Sequence, residues 1–216
     1  MTPNSGWKNN GAAVSITAKP ASGYTFSNWI GAGSAAYSGT NNPASITMNG
    51  PMSENASFIQ NSVQVTVQTN PAGRSFSVDG ATYTSSRSFS WNPGSSHTIA
   101  TTSLQGTGAG VQDIWKNWSD NGAISHTVAP TAGKTYTANF TTQYYLTMTQ
   151  GTGGTVTPNS GWKNSGAAVS ISAKPASGYT FSNWTGIGTG SYSGTNNRTS
   201  ITMGGPITET AGFPHN

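Results

Sequence analysis

The sequence predicts an all-β protein built from small tandem modules, and three observations lead to that prediction. Residues 157–213 repeat residues 2–58 without a gap, and 43 of the 57 aligned positions are identical. Apolar and polar residues alternate along many short stretches, and none keeps the helical period of about 3.6 residues for several turns. Glycine is abundant, with 28 residues, and only 6% of the residues are charged. This composition is typical of exported β-rich proteins.

The middle of the chain is predicted to be a divergent copy of the same unit. The segment 115–128 (WKNWSDNGAISHTV) takes the place of FSNWTG followed by SITM, and TYTANF at 135–140 takes that of ITETAGF. Repeats of this length form arrays of self-similar units rather than one large core. We therefore predict three modules, at 1–60, 62–142 and 143–216, in an elongated array.

The first module is predicted to lack its opening strand. Residues 144–156 (YYLTMTQGTGGTV) open the third module, whereas Met1 falls at the position of Val156. A complete unit would begin with an equivalent of Tyr145-Leu146-Thr147, so we expect the chain to be part of a longer array. The first module would then expose an unpaired strand edge that recruits a strand from another chain, giving strand-exchange self-association.

Tight turns are predicted between the strands. The pairs Asn49-Gly50 and Asp79-Gly80 are each expected to close a β-hairpin, because these residue types adopt positive φ at low cost. The strands themselves are predicted from alternating apolar and polar residues at 14–18, 63–67, 99–101 and 200–203.

Large aromatic residues are predicted to form the core of each module. The segment AKPASGYTFSNW occurs at 18–29 and again at 173–184. Modules of this size have few other residues to bury, and aromatic side chains dominate burial energetics. We expect Trp29, Trp118 and Trp184 to be buried.

The inventory of reactive side chains indicates a protein without an active site. The chain has no cysteine, no Gly-x-Ser-x-Gly motif and three histidines, His97, His126 and His215. A nucleophile needs a base beside it, and glycoside hydrolysis needs two carboxyl groups across one bond. The carboxylates that could serve are few and scattered: Glu54, Asp79, Asp113, Asp120 and Glu209. We predict that the chain is not an enzyme and uses no cofactor.

Two further chemistries stay open from the residues alone. Calcium bound through backbone carbonyl oxygens is one, although Asp113 and Asp120 match no calcium-binding loop and we predict no metal site. A Lys–Asn isopeptide bond beside an acidic residue is the other. The residue types for the isopeptide bond are supplied by Lys8, Lys19, Lys163 and Lys174 with Glu54 and Glu209. The simpler interpretation is that these lysines are exposed to solvent and form no such bond.

Charge and hydropathy exclude two classes of partner. The net charge is +4, but its nine basic residues are scattered singly, so we predict no binding to nucleic acid. No run approaches the roughly 20 apolar residues of a membrane span, and no signal peptide is expected in this chain.

Four aromatic residues in polar loops are candidates for sugar binding. Trp7 and Trp162 lie in Asn-Ser-Gly-Trp-Lys-Asn, and Tyr37 and Tyr192 lie in Tyr-Ser-Gly-Thr-Asn-Asn. A ring that stacks on a sugar needs nearby amide and hydroxyl groups, which both segments provide. Asn, Ser, Gly and Tyr are also ordinary loop residues, so a structural role is the alternative.

The arrangement YYLTMTQGTGGTVTPNSGWKNSGAAVSISAKPASGYTFSNWTG, followed by SITMGGPITETAGF, resembles the divergent InlB B-repeat modules of bacterial surface and secreted proteins. The resemblance covers 143–213 and 2–58 and is looser in between. It implies β-grasp-like modules in exported multidomain proteins, located outside the cell or at its surface and usually not catalytic. The middle module lacks the AKPASGY segment, so an immunoglobulin-like sandwich is the alternative there.

Together these features predict a spacer, stalk or adhesion region of a larger exported bacterial protein, whose partner would be a polysaccharide or a cell-surface protein. The rival hypothesis is an ancillary carbohydrate-binding array of a secreted hydrolase. The rival requires solvent-exposed, aligned aromatic rings, whereas the spacer hypothesis requires buried tryptophans and no such platform.

Overall fold

The computed structural model describes residues 1–106 and 108–216, which form β-strands and no helix, so the all-β prediction is confirmed. These residues divide into two compact units. The first unit consists of Met1–Gln64, Phe89–Ser95 and Ala129–Gly133, and the second of Val65–Ser88, Ser96–Val128 and Lys134–Asn216.

The first unit contains the N-terminal repeat. Its strands are β1 (Ala13–Ile16), β2 (Tyr24–Gly33), β3 (Ala44–Thr47) and β4 (Met52–Gln60). Strand β1 pairs antiparallel with β3, and β2 pairs antiparallel with β4, so the repeat has two separate two-stranded sheets. The alternating side chains of these strands form the core, which contains Ile16, Ala18, Trp29, Ala44 and Ile46.

The two predicted hairpins have different outcomes. Asp79 and Gly80 have φ angles of 49° and 84° and join two strands in which Val78 pairs with Ala81, so this hairpin is confirmed. The hairpin at Asn49-Gly50 is wrong, because the strands before and after it pair with other partners. The chain passes there from the β1–β3 sheet to the β2–β4 sheet. Ile46 of β3 and Trp29 of β2 lie in the same core.

The described residues after β4 form fifteen further strands. They are β5 (Val63–Asn70), β6 (Phe76–Val78), β7 (Ala81–Tyr83), β8 (Arg87–Trp91), β9 (His97–Thr101), β10 (Gln105–Gly108), β11 (Val111–Trp118), β12 (Ser125–Val128), β13 (Lys134–Gln150), β14 (Gly154–Thr157), β15 (Gly161–Asn164), β16 (Ala168–Pro175), β17 (Trp184–Ile187), β18 (Arg198–Thr202) and β19 (Ile207–Ala211).

Strand β13 is the central element of the second unit. Its first half pairs parallel with β5 and antiparallel with β11. Its second half pairs antiparallel with β15 and parallel with β19, and β19 pairs antiparallel with β17. One strand of 17 residues therefore joins strands of the middle segment and of the C-terminal repeat in a single sheet.

The middle segment has the strand order of the C-terminal repeat despite its divergent sequence. Each has its first and last strands paired in parallel. Each also has a second sheet, with the order β12-β9-β6 in the middle segment and β18-β16-β14 in the repeat. Strands β7 and β10 are additions to that order. The elongated arrangement and the boundaries of three modules stay predictions, and β13 runs without interruption through the proposed boundary at 142/143.

The tryptophan prediction is confirmed at all three positions. Trp29, Trp118 and Trp184 are fully buried. The indole N–H of Trp118 donates to the carbonyl oxygen of Ile124 at 3.1 Å, and that of Trp184 donates to Asn197 at 3.2 Å. The C-terminal core around Trp184 contains Leu146, Met148, Ile171, Ala173, Ile201, Met203, Ile207 and Ala211.

Candidate functional site

The two repeats differ most at one edge of their last strand. In the C-terminal repeat the last strand is β19, and β13 pairs with one of its edges. This pairing places Leu146 beside Ile207 and Met148 beside Glu209. In the N-terminal repeat the corresponding strand is β4, which pairs with β2 on one side. Within residues 1–64, no strand pairs with the other side of β4.

A groove of about 400 Å³ lies at the start of β4, and we refer to it as the N-terminal groove. It is lined by Gly6, Trp7, Lys8, Asn10 and residues 48–52, so β4 contributes only its first residue, Met52. In the C-terminal repeat the counterparts of Gly6 and Met52 are Gly161 and Ile207, and both pair with Leu146. The groove therefore lies where an opening strand runs in the C-terminal repeat.

The two tryptophans proposed as sugar platforms have different surroundings. Trp162 lies on β15, is 38% exposed and contacts the ring of Tyr145 edge-on, with 5.2 Å between ring centroids. Trp7 is fully exposed, and residues 6–9 form no strand. Because the two segments have the same sequence, the absence of a neighbouring strand explains the exposure of Trp7.

The two tyrosines proposed as platforms are held by their own loops. Tyr37 and Tyr192 are half-buried and pack against the cores of their repeats. Their hydroxyl oxygens accept the backbone N–H of Asn41 at 3.1 Å and of Asn196 at 3.2 Å. Tyr37 does not line the N-terminal groove, so the structure does not join it with Trp7 in one pocket. Sugar binding by these four residues stays a prediction.

A glutamate carboxyl group fixes each tyrosine loop, and that of Glu209 is fully buried. Oε1 of Glu209 accepts the backbone N–H of Tyr192 at 2.8 Å, and Oε1 of Glu54 accepts that of Tyr37 at 2.7 Å. Oε2 of each glutamate is enclosed and has no hydrogen-bond partner. Burial raises the pKa of Glu209, and the Tyr192 N–H only partly opposes this. The neutral acid is thus favoured at a position where an ionised group would lack solvation.

Sequence analysis paired these glutamates with lysines and did not identify their structural role. The ion pairs formed by the described residues join Arg74 with Asp113, His97 with Asp79 and His126 with Asp120, and none includes a lysine. One signal could have located Glu209. In the strand ITETA, the residues Ile207, Glu209 and Ala211 alternate, and this pattern places the glutamate on the core side.

We expect the free energy of unfolding of the natural chain to fall as pH rises above about 4.5, the ordinary pKa of a glutamate, and we expect Glu209→Gln to reduce this fall. Below that pH the carboxyl is protonated in the folded and unfolded states. Above it the unfolded state ionises while the fold retains the proton, so the free energy of unfolding falls until the raised pKa is reached. The loss is about 1.4 kcal/mol for each unit by which folding raises the pKa.

The measurement is urea unfolding between pH 4 and pH 7.5. Glu54→Gln is the matched control, because it makes the same chemical change at the equivalent and less enclosed position. Equal pH slopes for the wild type and Glu209→Gln would contradict a role for this carboxyl group.

Asp120 and His126 form a closed pair in the middle segment. The ring of His126 contacts Oδ2 of Asp120 through Nε2 at 2.9 Å and donates from Nδ1 to the carbonyl oxygen of Ala123 at 2.7 Å. Burial acts to raise the pKa of Asp120, but hydrogen bonds from His126 and from the N–H of Gly122 outweigh it and lower the pKa. Both ring nitrogens of His126 are therefore engaged within the fold.

The other carboxylates also serve the fold. Asp113 is fully buried, pairs with Arg74 and accepts the hydroxyl of Thr142 at 2.6 Å. Asp79 lies in the confirmed hairpin turn, and hydrogen bonds from His97 and from the N–H of Thr98 lower its pKa. In the part of the chain that the structure describes, no three His, Asp or Glu side chains form a group able to bind a metal ion.

These features define a β-rich repeat protein whose aromatic and charged side chains mainly hold its cores, hairpins and loops. The model of the divergent InlB B-repeat domain matches residues 1–62 and 144–216, which is more than half of the chain, so the chain belongs to that family. The resemblance found in the sequence is confirmed. Comparisons with curated proteins and with solved structures give no match.

Family membership indicates a repeat region of the kind found in bacterial surface proteins, and domains of this type are generally non-catalytic. Residues 63–143, which contain the divergent middle segment, lie outside the match. The described residues contain no helix with the length and hydropathy needed to cross a membrane.

Proposed function

We propose that the chain is a non-catalytic, extracellular region of a larger exported bacterial protein and acts as a spacer or stalk that presents adhesive parts of that protein. The observation that carries this proposal is the shared strand β13. It pairs with β5 and β11 of the middle segment and with β15 and β19 of the C-terminal repeat, within one sheet. Such a connection resists bending better than a flexible linker does.

Contacts beside β13 reinforce the connection. The side-chain amide of Gln112 donates to Gln143 at 2.8 Å, and the backbone N–H of Tyr145 donates to the carbonyl oxygen of Gly110 at 2.9 Å. Bending at this point would break several hydrogen bonds of the sheet together. A stalk needs this stiffness in order to hold a binding domain at a fixed distance.

We expect a narrow distribution of distances between spin labels placed in the two halves of the second unit. The natural chain has no cysteine, so Thr82→Cys and Thr195→Cys, both at exposed positions, would be labelled specifically. Pulsed electron resonance should give one narrow peak. Three glycines inserted between Thr142 and Gln143 should broaden it, because they interrupt β13. An equally broad distribution without the insertion would contradict the stalk proposal.

The rival function, an ancillary carbohydrate-binding array of a secreted hydrolase, is supported by the exposure of Trp7 and the partial exposure of Trp162. A panel of immobilised glycans and insoluble polysaccharides tests it. The stalk proposal predicts no saturable binding by the chain. Saturable binding that is lost in Trp7→Ala/Trp162→Ala, or in a folded Tyr37→Ala/Tyr192→Ala variant, would favour the rival and identify its platform.

A further inference from the structure

We propose that the crossover between β3 and β4, residues 48–51, is a site of spontaneous deamidation. Asn49 is converted to aspartate or isoaspartate by the backbone nitrogen of Gly50 and by water. The product carries a new negative charge and, in the isoaspartate form, one additional atom in the backbone. The reaction needs no partner, so it is independent of the stalk function.

The chemistry involves only the chain and water. The deprotonated backbone nitrogen of Gly50 attacks Cγ of Asn49 and closes a five-membered succinimide ring. The bond from Cγ to the side-chain nitrogen breaks, and that nitrogen leaves as ammonia after taking up a proton. Water then opens the ring at one of its two carbonyl carbons. Opening at Cγ gives aspartate, whereas opening at the backbone carbonyl carbon gives isoaspartate, in which the chain continues through Cγ.

The sequence contains three pairs in which this attack is least hindered. They are Asn10-Gly11, Asn49-Gly50 and Asn121-Gly122. A glycine after the asparagine has no side chain and leaves the backbone free to turn its nitrogen towards Cγ. Since the three pairs have the same two residue types, differences between them must come from the fold.

The pair Asn49-Gly50 is open to the reaction. Asn49 is exposed, and both residues lie in a bend outside the strands. Among the described residues, no hydrogen bond includes the side chain of Asn49 or the N–H of Gly50. The attacking nitrogen can therefore approach Cγ without the loss of any hydrogen bond of the fold.

The other two pairs are held by hydrogen bonds at the attacking nitrogen. The N–H of Gly11 donates to the carbonyl oxygen of Met48 at 2.8 Å, and that of Gly122 donates to Oδ1 of Asp120 at 3.1 Å. Asn121 is also fixed, with a φ of 63°. These pairs can react only after the local structure opens.

The C-terminal repeat shows that the crossover is open even where the last strand has partners on both sides. The equivalent pair there is Gly204-Gly205, and β19 pairs with both β13 and β17. Gly204 is exposed, and the N–H of Gly205 has no hydrogen-bond partner among the described residues. The openness thus belongs to the repeat itself. Because glycine replaces the asparagine, the second copy cannot undergo the reaction, and the modification distinguishes the two repeats.

Deamidation would change a short connection between two sheets that share one core. Met48 and Met52, at and just after the ends of the crossover, pack against the core around Trp29. Isoaspartate lengthens this connection, and either product lowers the formal net charge from +4 to +3. We expect a chain that has been converted to isoaspartate to unfold at lower denaturant concentration than a fresh chain.

The test incubates the intact chain at mildly alkaline pH in water enriched in oxygen-18 and follows its proteolytic peptides by mass spectrometry. Each conversion adds about 3 Da, because the side-chain nitrogen is replaced by the heavy oxygen. Asn49 should convert at least about tenfold faster than Asn10 and Asn121, which must wait for local opening. In concentrated urea the three rates should become similar. Equal rates in the folded chain, or faster conversion at Asn10 or Asn121, would overturn the inference.

A matched variant removes the reaction and keeps the fold. In Gly50→Ala the new Cβ would lie 3.9 Å from Cβ of Ser34, an ordinary contact, and Gly50 does not have a positive φ. The methyl group hinders the attack, so conversion at Asn49 should slow at least about tenfold. An unchanged rate in this variant would contradict attack by the nitrogen of Gly50.

A second variant separates the two products. Asn49→Asp supplies the new charge on an unchanged backbone and should unfold like the fresh natural chain. The incubated natural chain, which contains isoaspartate, should unfold at lower denaturant concentration. An equal loss of stability in Asn49→Asp would overturn the effect assigned to the lengthened backbone.

Discussion

Replacing Trp184 by alanine is expected to lower the free energy of unfolding by about 3–5 kcal/mol. The side chain is fully buried among apolar residues of both sheets of the C-terminal repeat, and its indole N–H has a partner in the carbonyl oxygen of Asn197. The substitution leaves a cavity and removes the donor of that hydrogen bond. Because β13 links this repeat to the middle segment, chemical denaturation of the second unit should occur at lower denaturant concentration.

Two control variants separate burial from the aromatic character of the residue. Trp162→Ala removes the same side chain at a partly exposed site and should cost less than about 1.5 kcal/mol. Trp184→Phe keeps a ring in the core and should fall between the two. A Trp184→Ala variant as stable as Trp162→Ala would mean that the core around Trp184 does not stabilise the fold.

Replacing Arg74 by leucine is expected to destabilise the chain by about 3–5 kcal/mol. The guanidinium pairs with the carboxylate of Asp113, which is fully inaccessible to solvent and accepts one further hydrogen bond from Thr142. Without Arg74 the fold would leave a buried carboxylate without its charged partner.

A double-mutant cycle measures the pair itself. Arg74→Leu/Asp113→Leu removes both charges and should be clearly more stable than Arg74→Leu alone, because a buried pair replaced by apolar groups costs much less than one broken on a single side. Arg87→Leu, at an exposed arginine, is the control for loss of one positive charge. Additive effects of the two single substitutions would show that the groups do not interact.

The sequence could predict those features that depend on a single segment. Alternating residues identified the strands, the Asp79-Gly80 pair identified its hairpin, and the scarcity of other large apolar groups identified the buried tryptophans. The hairpin predicted at Asn49-Gly50 was wrong, because turn residues show where the chain can bend but not which strands become neighbours.

Features that depend on distant residues could not be predicted in this way. The identical segments GYTFSNW have different structures, since β2 begins at Tyr24 whereas β17 begins only at Trp184. The partner of β2 runs on to Gln60, whereas the corresponding stretch contains Pro214, which has no N–H to donate. In the same way, the Arg74 and Asp113 pair joins positions 39 residues apart and leaves no local pattern.

The candidate site shows the same limit. Trp7 and Trp162 are equivalent in sequence, and both were predicted from their polar surroundings as possible platforms. Their exposure differs because one segment pairs with β13 and the other has no neighbouring strand. Which residues could bind a partner therefore depends on strand pairing, and the repeat alignment gave the first indication of it.

The parallel pairing of the first and last strands has a mechanical consequence for the C-terminal repeat. A pull applied at Gln143 and Ala211 would draw β13 and β19 in opposite directions along their common axis. The hydrogen bonds between Leu146–Gln150 and Ile207–Ala211 lie across that direction and would be loaded together in shear, whereas a hairpin pulled at its open end loses its bonds one at a time. The strand order that closes this repeat is therefore also the one that resists tension applied between these two ends.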